Sequence, residues 1–373
     1  MGVFWGMRIA LIHHSDDITN DYGAYLAALL DETAKAKEYM IKDYDHVVNA
    51  KESIKEENVL LHIVIPAGSS FSLKYWYGYK ITRILKKYRI DAVVCLYGVC
   101  TSANIKQILV LPDTVLLELQ KNMLLWQHFA ASRIKESIKV ANTIVTYSNF
   151  AAKTTAALVS YVAQKINVLP YTAPELFVPM EWHNKLYVKS RYAQNKEYFI
   201  AILPDNNEAI FVDLLKAFSK FKKWQQSGMK LVLLPKEEGF ASAIDNKLGT
   251  YKYREDVNLV NDADKKDVAD LIAAAYALLH PALNDADLWP VIIALQCNTP
   301  IITLDTASIN EYAGEAGVYV TQKDHEAFGD ELNRLYKDEN LKTKMAETAA
   351  QQTAGYKQDE VVEKIWQLLT QQQ

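Results

Sequence analysis

Short, unbroken apolar runs, each closed by polar residues, Pro or Gly, recur along the whole chain and constrain its fold more than any other feature. Residues 7–14 (MRIALIHH), 57–66 (ENVLLHIVIP), 91–98 (DAVVCLYG), 106–112 (KQILVLP), 142–148 (NTIVTYS) and 166–170 (INVLP) share the pattern. A strand wetted on one side alternates apolar and polar residues, whereas a strand covered on both faces does not have to. These runs therefore read as strands of a parallel sheet with helices on both sides. Helical patterns at 21–36, 74–88 and 116–141 fall between them. Strand and helix in alternation is the order of a doubly wound α/β domain.

The regularity lapses after Pro170, where Pro174 and Pro179 punctuate an irregular stretch. It then restarts, with strands expected at 197–203, 229–235, 258–260, 276–281, 300–305 and 317–321. Helices are expected at 208–226, 265–275 and 288–297, and a helical block closes the chain. The 373 residues suit two domains of roughly 100–200 each. The reading is a Rossmann-like domain over 1–175, a linker over 176–196 and a second Rossmann-like domain over 197–355. A closing helix within 356–373 is expected to pack back on the first domain. No short-period repeat occurs, which removes solenoids and propellers.

Composition narrows the function. Net charge is −4, divided as +4 over residues 1–170 and −8 over 171–373, so a nucleic-acid partner is not expected. Cys95, Cys100 and Cys297 form no CxxC pair, which argues against a disulfide framework or a structural zinc site and for a cytoplasmic setting. No apolar run reaches the roughly 18 residues a membrane span requires. The N-terminus lacks the basic n-region of a secretory signal. A GxGxxG fingerprint and a GxSxG elbow are both absent, leaving nicotinamide chemistry and serine hydrolysis without support.

Two segments carry a family resemblance. Residues 141–179 resemble the end of the N-terminal domain in family 4 retaining glycosyltransferases of the GT-B fold, with Ser148 and Pro170 in frame and Tyr171-Thr172 where that family has Asn-Gly. Residues 267–320 resemble the family's donor-nucleotide half, with Pro281, Asp285, Pro290, Pro300, Glu311, Gly314 and Gly317 in register. The resemblance implies two Rossmann-like domains facing each other across a cleft. It implies transfer of a sugar from a nucleotide-sugar to a carbohydrate or lipid-linked acceptor, with retention and with no metal cofactor. Asp285 would touch the donor sugar, while Glu311 and the backbone amides of the Gly314–Gly317 loop would sit near the donor phosphates. His14 and Asp113 would line the acceptor side.

The chain departs from that pattern in four places. Glu208 and Ala209 stand where the family has an Arg and a Lys. That reverses the charge wanted beside a leaving diphosphate, which needs cations or a helix N-terminus. Ile293 replaces the second acid, which holds the ribose hydroxyls, and Pro112 precedes Asp113 where a His is expected. Lys216, Lys220, Lys222 and Lys223 are candidate substitute cations. A catalytically inactive GT-B scaffold serving as a binding partner, or a transferase with an unusual donor, therefore stays open beside the transferase reading.

Several single features have two readings. His13 and His14, with Asp16, are either ligand-facing or held by backbone. Asp285 is a sugar contact or a cap for the helix starting near Leu288. Glu311 is a phosphate neighbour or an ordinary turn carboxylate. The stretch KYWYGYKITRILKK is a sheet-covering helix with a solvated basic face, or a surface for weak peripheral contact with the inner face of a membrane.

Overall fold

The computed structural model describes residues 6–14, 21–66, 68–96, 98–111, 125–158, 160–203, 208–235, 244, 246–281, 287–321 and 324–371. Two parallel sheets organise them. The first holds β1 (Arg8–His14), β2 (Met40–Asp43), β3 (Val59–Ile65), β4 (Ala92–Cys95), β5 (Lys106–Val110), β6 (Thr143–Thr146) and β7 (Ile166–Val168), in the order β2-β3-β1-β4-β5-β6-β7. The second holds β8 (Tyr198–Leu203), β9 (Lys230–Pro235), β10 (Val257–Leu259), β11 (Ala277–His280), β12 (Ile301–Leu304) and β13 (Gly317–Val320), in the order β10-β9-β8-β11-β12-β13. Both belong to doubly wound α/β units.

The cores follow from the apolar runs. Ile9, Ala10 and Leu11 of β1 are wholly buried, as are Tyr198, Phe199 and Ile200 of β8. Removing each such large side chain from water stabilises the fold by about 1.5–3 kcal/mol. Direction reverses once in each sheet. Central β1 pairs with β3 on one side and β4 on the other, and central β8 lies between β9 and β11. In open α/β sheets, ligands bind beyond the carboxyl ends of the strands at such a reversal. Those ends carry His14 in the first sheet, and Leu203 and His280 in the second.

The chain forms two compact units, one comprising Met1–Tyr171 with Asp359–Gln373 and the other Thr172–Gln358. The closing helix Gln358–Thr370 is tied into the first unit by side chains. Trp366 Nε1 donates to Thr33 Oγ1 at 2.8 Å, and its ring lies 5.1 Å from that of Tyr39. Lys106 Nζ donates to the Leu369 carbonyl at 3.1 Å.

Several elements differ from the sequence reading. The proline-marked stretch 176–196 contains a helix, Trp182–Tyr192, that clusters with the second unit. Phe177 packs edge-on against Trp289, and Arg191 reaches Asp267 at 2.9 Å. Strand β2 was not legible, because an edge strand of four residues with Met40 half-exposed has no apolar run to show. Residues 70–87, read as one helix from 74, are a helix Ser70–Tyr75, a π turn Trp76–Lys80 and a helix Ile81–Lys87.

Candidate functional site

In the first unit, β1 delivers two histidines to the carboxyl end of the sheet. Successive strand residues point to opposite faces, so His13 and His14 serve separate environments. His14 is buried, with Nε2 2.9 Å from the Tyr77 hydroxyl and the two rings stacked at 5.9 Å. His13 stacks on His62 of β3, ring centroids 4.9 Å apart. Its Nε2 lies 2.9 Å from His62 Nδ1, and His62 Nε2 lies 2.8 Å from Asp31 Oδ1. Burial above all, and then His62, push the His13 pKa down to about 4 against the opposing pull of Asp31, so the ring is neutral at neutral pH. The sequence reading missed His62 and Asp31. The available signal was His62, a lone polar residue inside the apolar run VLLHIVI, whereas Asp31, beside Glu32 in a helix, gave none. Asp16 and Asp113 lie outside the described residues.

In the second unit, the reversal falls between β8 and β11. His280 ends β11 almost fully buried, and its Nε2–H donates to the Asp287 carbonyl at 2.8 Å. That bond ties together the flanks of residues 282–286, which include Asp285 and lie outside the described residues. Ile293 is wholly buried within the helix Trp289–Gln296 and offers no acceptor atom. A small cavity of about 50 Å³ opens among Ile210, Leu214, Pro281, Leu304, His325 and Phe328. Its volume is well below the roughly 300–1,000 Å³ of a ligand pocket.

Charge at the start of the helix Glu208–Gln225 is not what the sequence suggested. Glu208 forms an ion pair with Lys247, thirty-nine positions away. Among the candidate substitute cations, Lys220 is taken up by Glu326 and Asp330 at 2.9 and 2.6 Å, and Lys222 by Asp256 at 2.9 Å. Lys216 reaches Asp213 at 3.4 Å. Lys247 is thus the cation that meets the first residue of this helix, and no periodicity announces it.

Glu311 is half-buried in a helix, Ala307–Ala313, rather than in a turn. Gly314 ends that helix at φ +48, a conformation that favours glycine. Its amide donates to the Asn310 carbonyl, and the Gly317 amide to the Gly314 carbonyl. The Tyr319 hydroxyl closes the same turn, donating to the Gly314 carbonyl at 2.6 Å. Both glycine amides are therefore engaged within the turn. At the other end of the helix, the Thr306 hydroxyl is buried without a hydrogen-bond partner among the described residues. No group of three His, Cys, Asp or Glu side chains among the described residues is arranged to hold a metal ion. No helix among them is long and apolar enough to cross a membrane.

Two parallel doubly wound units in one chain define the GT-B class of fold. The whole chain superposes on solved GT-B enzymes. WaaG, a glycosyltransferase involved in lipopolysaccharide biosynthesis, matches with a TM-score of 0.73 and 14% identity, over 98% of this chain and 100% of that one. Anabaena HepE, solved with UDP and glucose, matches with a TM-score of 0.69 and 11% identity, over 98% and 100%. Residues 188–352 match the family described as glycosyl transferases group 1. The O-antigen chain mannosyltransferase RfbU of Salmonella typhimurium is 22% identical over 208 residues, 54% of this chain and 53% of that protein. The match thus spans about half the length of that curated relative.

Proposed function

We propose that the chain is a retaining glycosyltransferase that moves a sugar from a nucleoside-diphosphate sugar to a carbohydrate or lipid-linked acceptor, without a metal cofactor. The observation that carries this reading is the group 1 match over residues 188–352, which contains the whole second sheet and its reversal between β8 and β11. That reversal is where the fold receives nucleotides.

In this reading the donor lies beyond the carboxyl ends of β8 and β11. Asp285 accepts hydrogen bonds from the sugar hydroxyls; it lies in sequence between His280 and Asp287, which are bonded to each other. The unpartnered Thr306 hydroxyl, beside the first turn of the Glu311 helix, is a donor suited to a phosphate oxygen. Lys247 replaces the family's basic pair as the source of positive charge for the leaving diphosphate. In the first unit, His14, oriented by Tyr77, and Asp113 serve the acceptor.

Thermal-shift screening with UDP, GDP, ADP and their sugars tests the donor site, followed by an assay of nucleotide release with candidate acceptors. A ligand at 100 times its Kd stabilises by about 2.7 kcal/mol, which is readily seen. Asp285→Asn is expected to weaken the sugar-bearing ligand more than the bare nucleotide. A well-folded chain that responds to no nucleotide would refute the transferase reading and leave the inactive scaffold.

A further inference from the structure

We propose that His13 and Val64 form a contact for a saccharide ring of the acceptor, with His13 Nδ1 accepting a hydrogen bond from one of its hydroxyls. The inference rests on the transferase reading and narrows it, because this contact selects the acceptor by its sugar and not by a phosphate.

The first sheet is uncovered at one spot. Every apolar residue of β1 and β3 is buried except Val64, which is 39% exposed. Val64 stands in register with His13, itself only partly buried, so the two side chains lie side by side on one face. His62, two residues before Val64, shares that face. The spot falls at the carboxyl ends of two strands beside the reversal of the sheet.

Its polar half is fixed from behind. Asp31, carried on the helix Asp21–Ala36, accepts from His62 Nε2–H at 2.8 Å. His62 Nδ1 is then an acceptor, and the proton of neutral His13 sits on Nε2, 2.9 Å away. His13 Nδ1 keeps its lone pair and has no hydrogen-bond partner among the described residues. Burial keeps the ring neutral at neutral pH. An imidazole held in this form can accept at Nδ1 but can neither donate there nor supply charge.

Those properties select the ligand. A phosphate oxygen brings only lone pairs and would meet another lone pair. The groups acting on His13 are His62, Asp31 and His14, none of them a Lys or Arg. An acyl chain would cover Val64 but leave Nδ1 stripped of water and unpaired, which is costly. A pyranose ring satisfies both halves, with hydroxyls at its rim and C–H groups on its face. His13 orients the hydroxyl and does not take its proton, because a ring that stays neutral down to about pH 4 is a weak base. His13 is thus a specificity-determining residue, and His62 and Asp31 are positioning residues behind it.

Magnetic-resonance spectra of the full chain, labelled at its histidine ring nitrogens and recorded at neutral pH, test the contact. The free chain should show His13 protonated at Nε2 and unprotonated at Nδ1. The probes are the methyl pyranosides of glucose, galactose, mannose and N-acetylglucosamine, with inorganic phosphate as the contrast. At least one glycoside should shift the His13 Nδ1 resonance and leave His183 unmoved, and phosphate should shift neither. His13→Phe keeps a ring but removes the acceptor, and should weaken that glycoside about tenfold. His13→Gln, which returns an acceptor oxygen, should recover part of the loss. His62→Phe frees the tautomer, so a proton should appear on His13 Nδ1 and binding should weaken severalfold. A proton on Nδ1 in the native chain, a response to phosphate, or no response to any glycoside overturns the proposal. Should His13→Phe fail to fold, the shift in the native chain decides. The nucleotide screen run beside it separates the two readings. Nucleotide binding without glycoside contact removes this inference alone, whereas glycoside contact without nucleotide binding removes the transferase reading and keeps the saccharide contact.

Discussion

His62 Nδ1 lies 2.9 Å from His13 Nε2, joining β3 to β1 through two imidazoles whose far end is Asp31. The carboxylate accepts from His62 Nε2–H. With both rings neutral, His62 Nδ1 accepts from His13 Nε2–H, and the carboxylate sets the tautomer of each ring.

A pH dependence of stability follows. The His13 pKa is about 4 in the folded chain, below its ordinary 6.5, so the unfolded chain takes up the proton first as pH falls. Stability is complete above pH 6.5 and declines toward pH 4, by at most about 3 kcal/mol. Partial solvent contact reduces that figure. His62, His14 and Asp31 are the charged or titratable groups that act on the ring. Urea midpoints at pH 7 and pH 5 should separate for the native chain and separate less for His13→Asn. Equal separation would remove His13 as the source.

Trp366→Ala should destabilise the first unit by about 3–5 kcal/mol, since a ring 4% exposed leaves a cavity between Tyr39 and Thr33. Trp366→Phe keeps most of the packing, and loss of the indole bond should cost about 1 kcal/mol. Denaturant unfolding read by near-ultraviolet dichroism checks both. Equal effects would mean that the helix is held by its backbone end contacts instead.

Gly314→Ala should cost about 1–3 kcal/mol, because φ +48 with ψ −130 strains any residue with a Cβ. The added carbon would also fall 2.7 Å from the flexible end of Gln352, which can move aside. Gly355→Ala, whose Cβ meets only an ordinary contact at 3.6 Å, is the control. A thermal midpoint lowered for the first variant and not for the second is expected.

Glu208→Lys reverses the charge at the first residue of its helix and frees Lys247 from its pair. Exposed pairs contribute at most about 1 kcal/mol, so the fold should tolerate the change. Binding of a nucleoside diphosphate, measured by calorimetry, should tighten severalfold, and the gain should shrink with added salt. Unchanged or weaker binding would place the diphosphate away from this helix.

Much of the fold was legible locally. β1 and β8 are written as continuous apolar runs because each is covered on both faces, and the helix Asp21–Ala36 shows its full extent in its periodicity. The helix Trp182–Tyr192 was hidden by flanking prolines and by a face that leaves Trp182 and Tyr187 exposed. The candidate site was legible only where the residues ride on those runs. His14 could be placed at a strand end, whereas the inward face of Tyr77 that meets it depends on a π turn no pattern reveals.

The sequence by itself determined two parallel sheets and the strand ends at which chemistry can occur, since burial on both faces dictates composition residue by residue. Tertiary structure alone decided the partners: His62 for His13, Lys247 for Glu208, Thr33 for Trp366. Those pairs join positions 39 to 333 residues apart. Their meeting depends on which strands and helices become neighbours, a consequence of the path of the whole chain rather than of any local pattern.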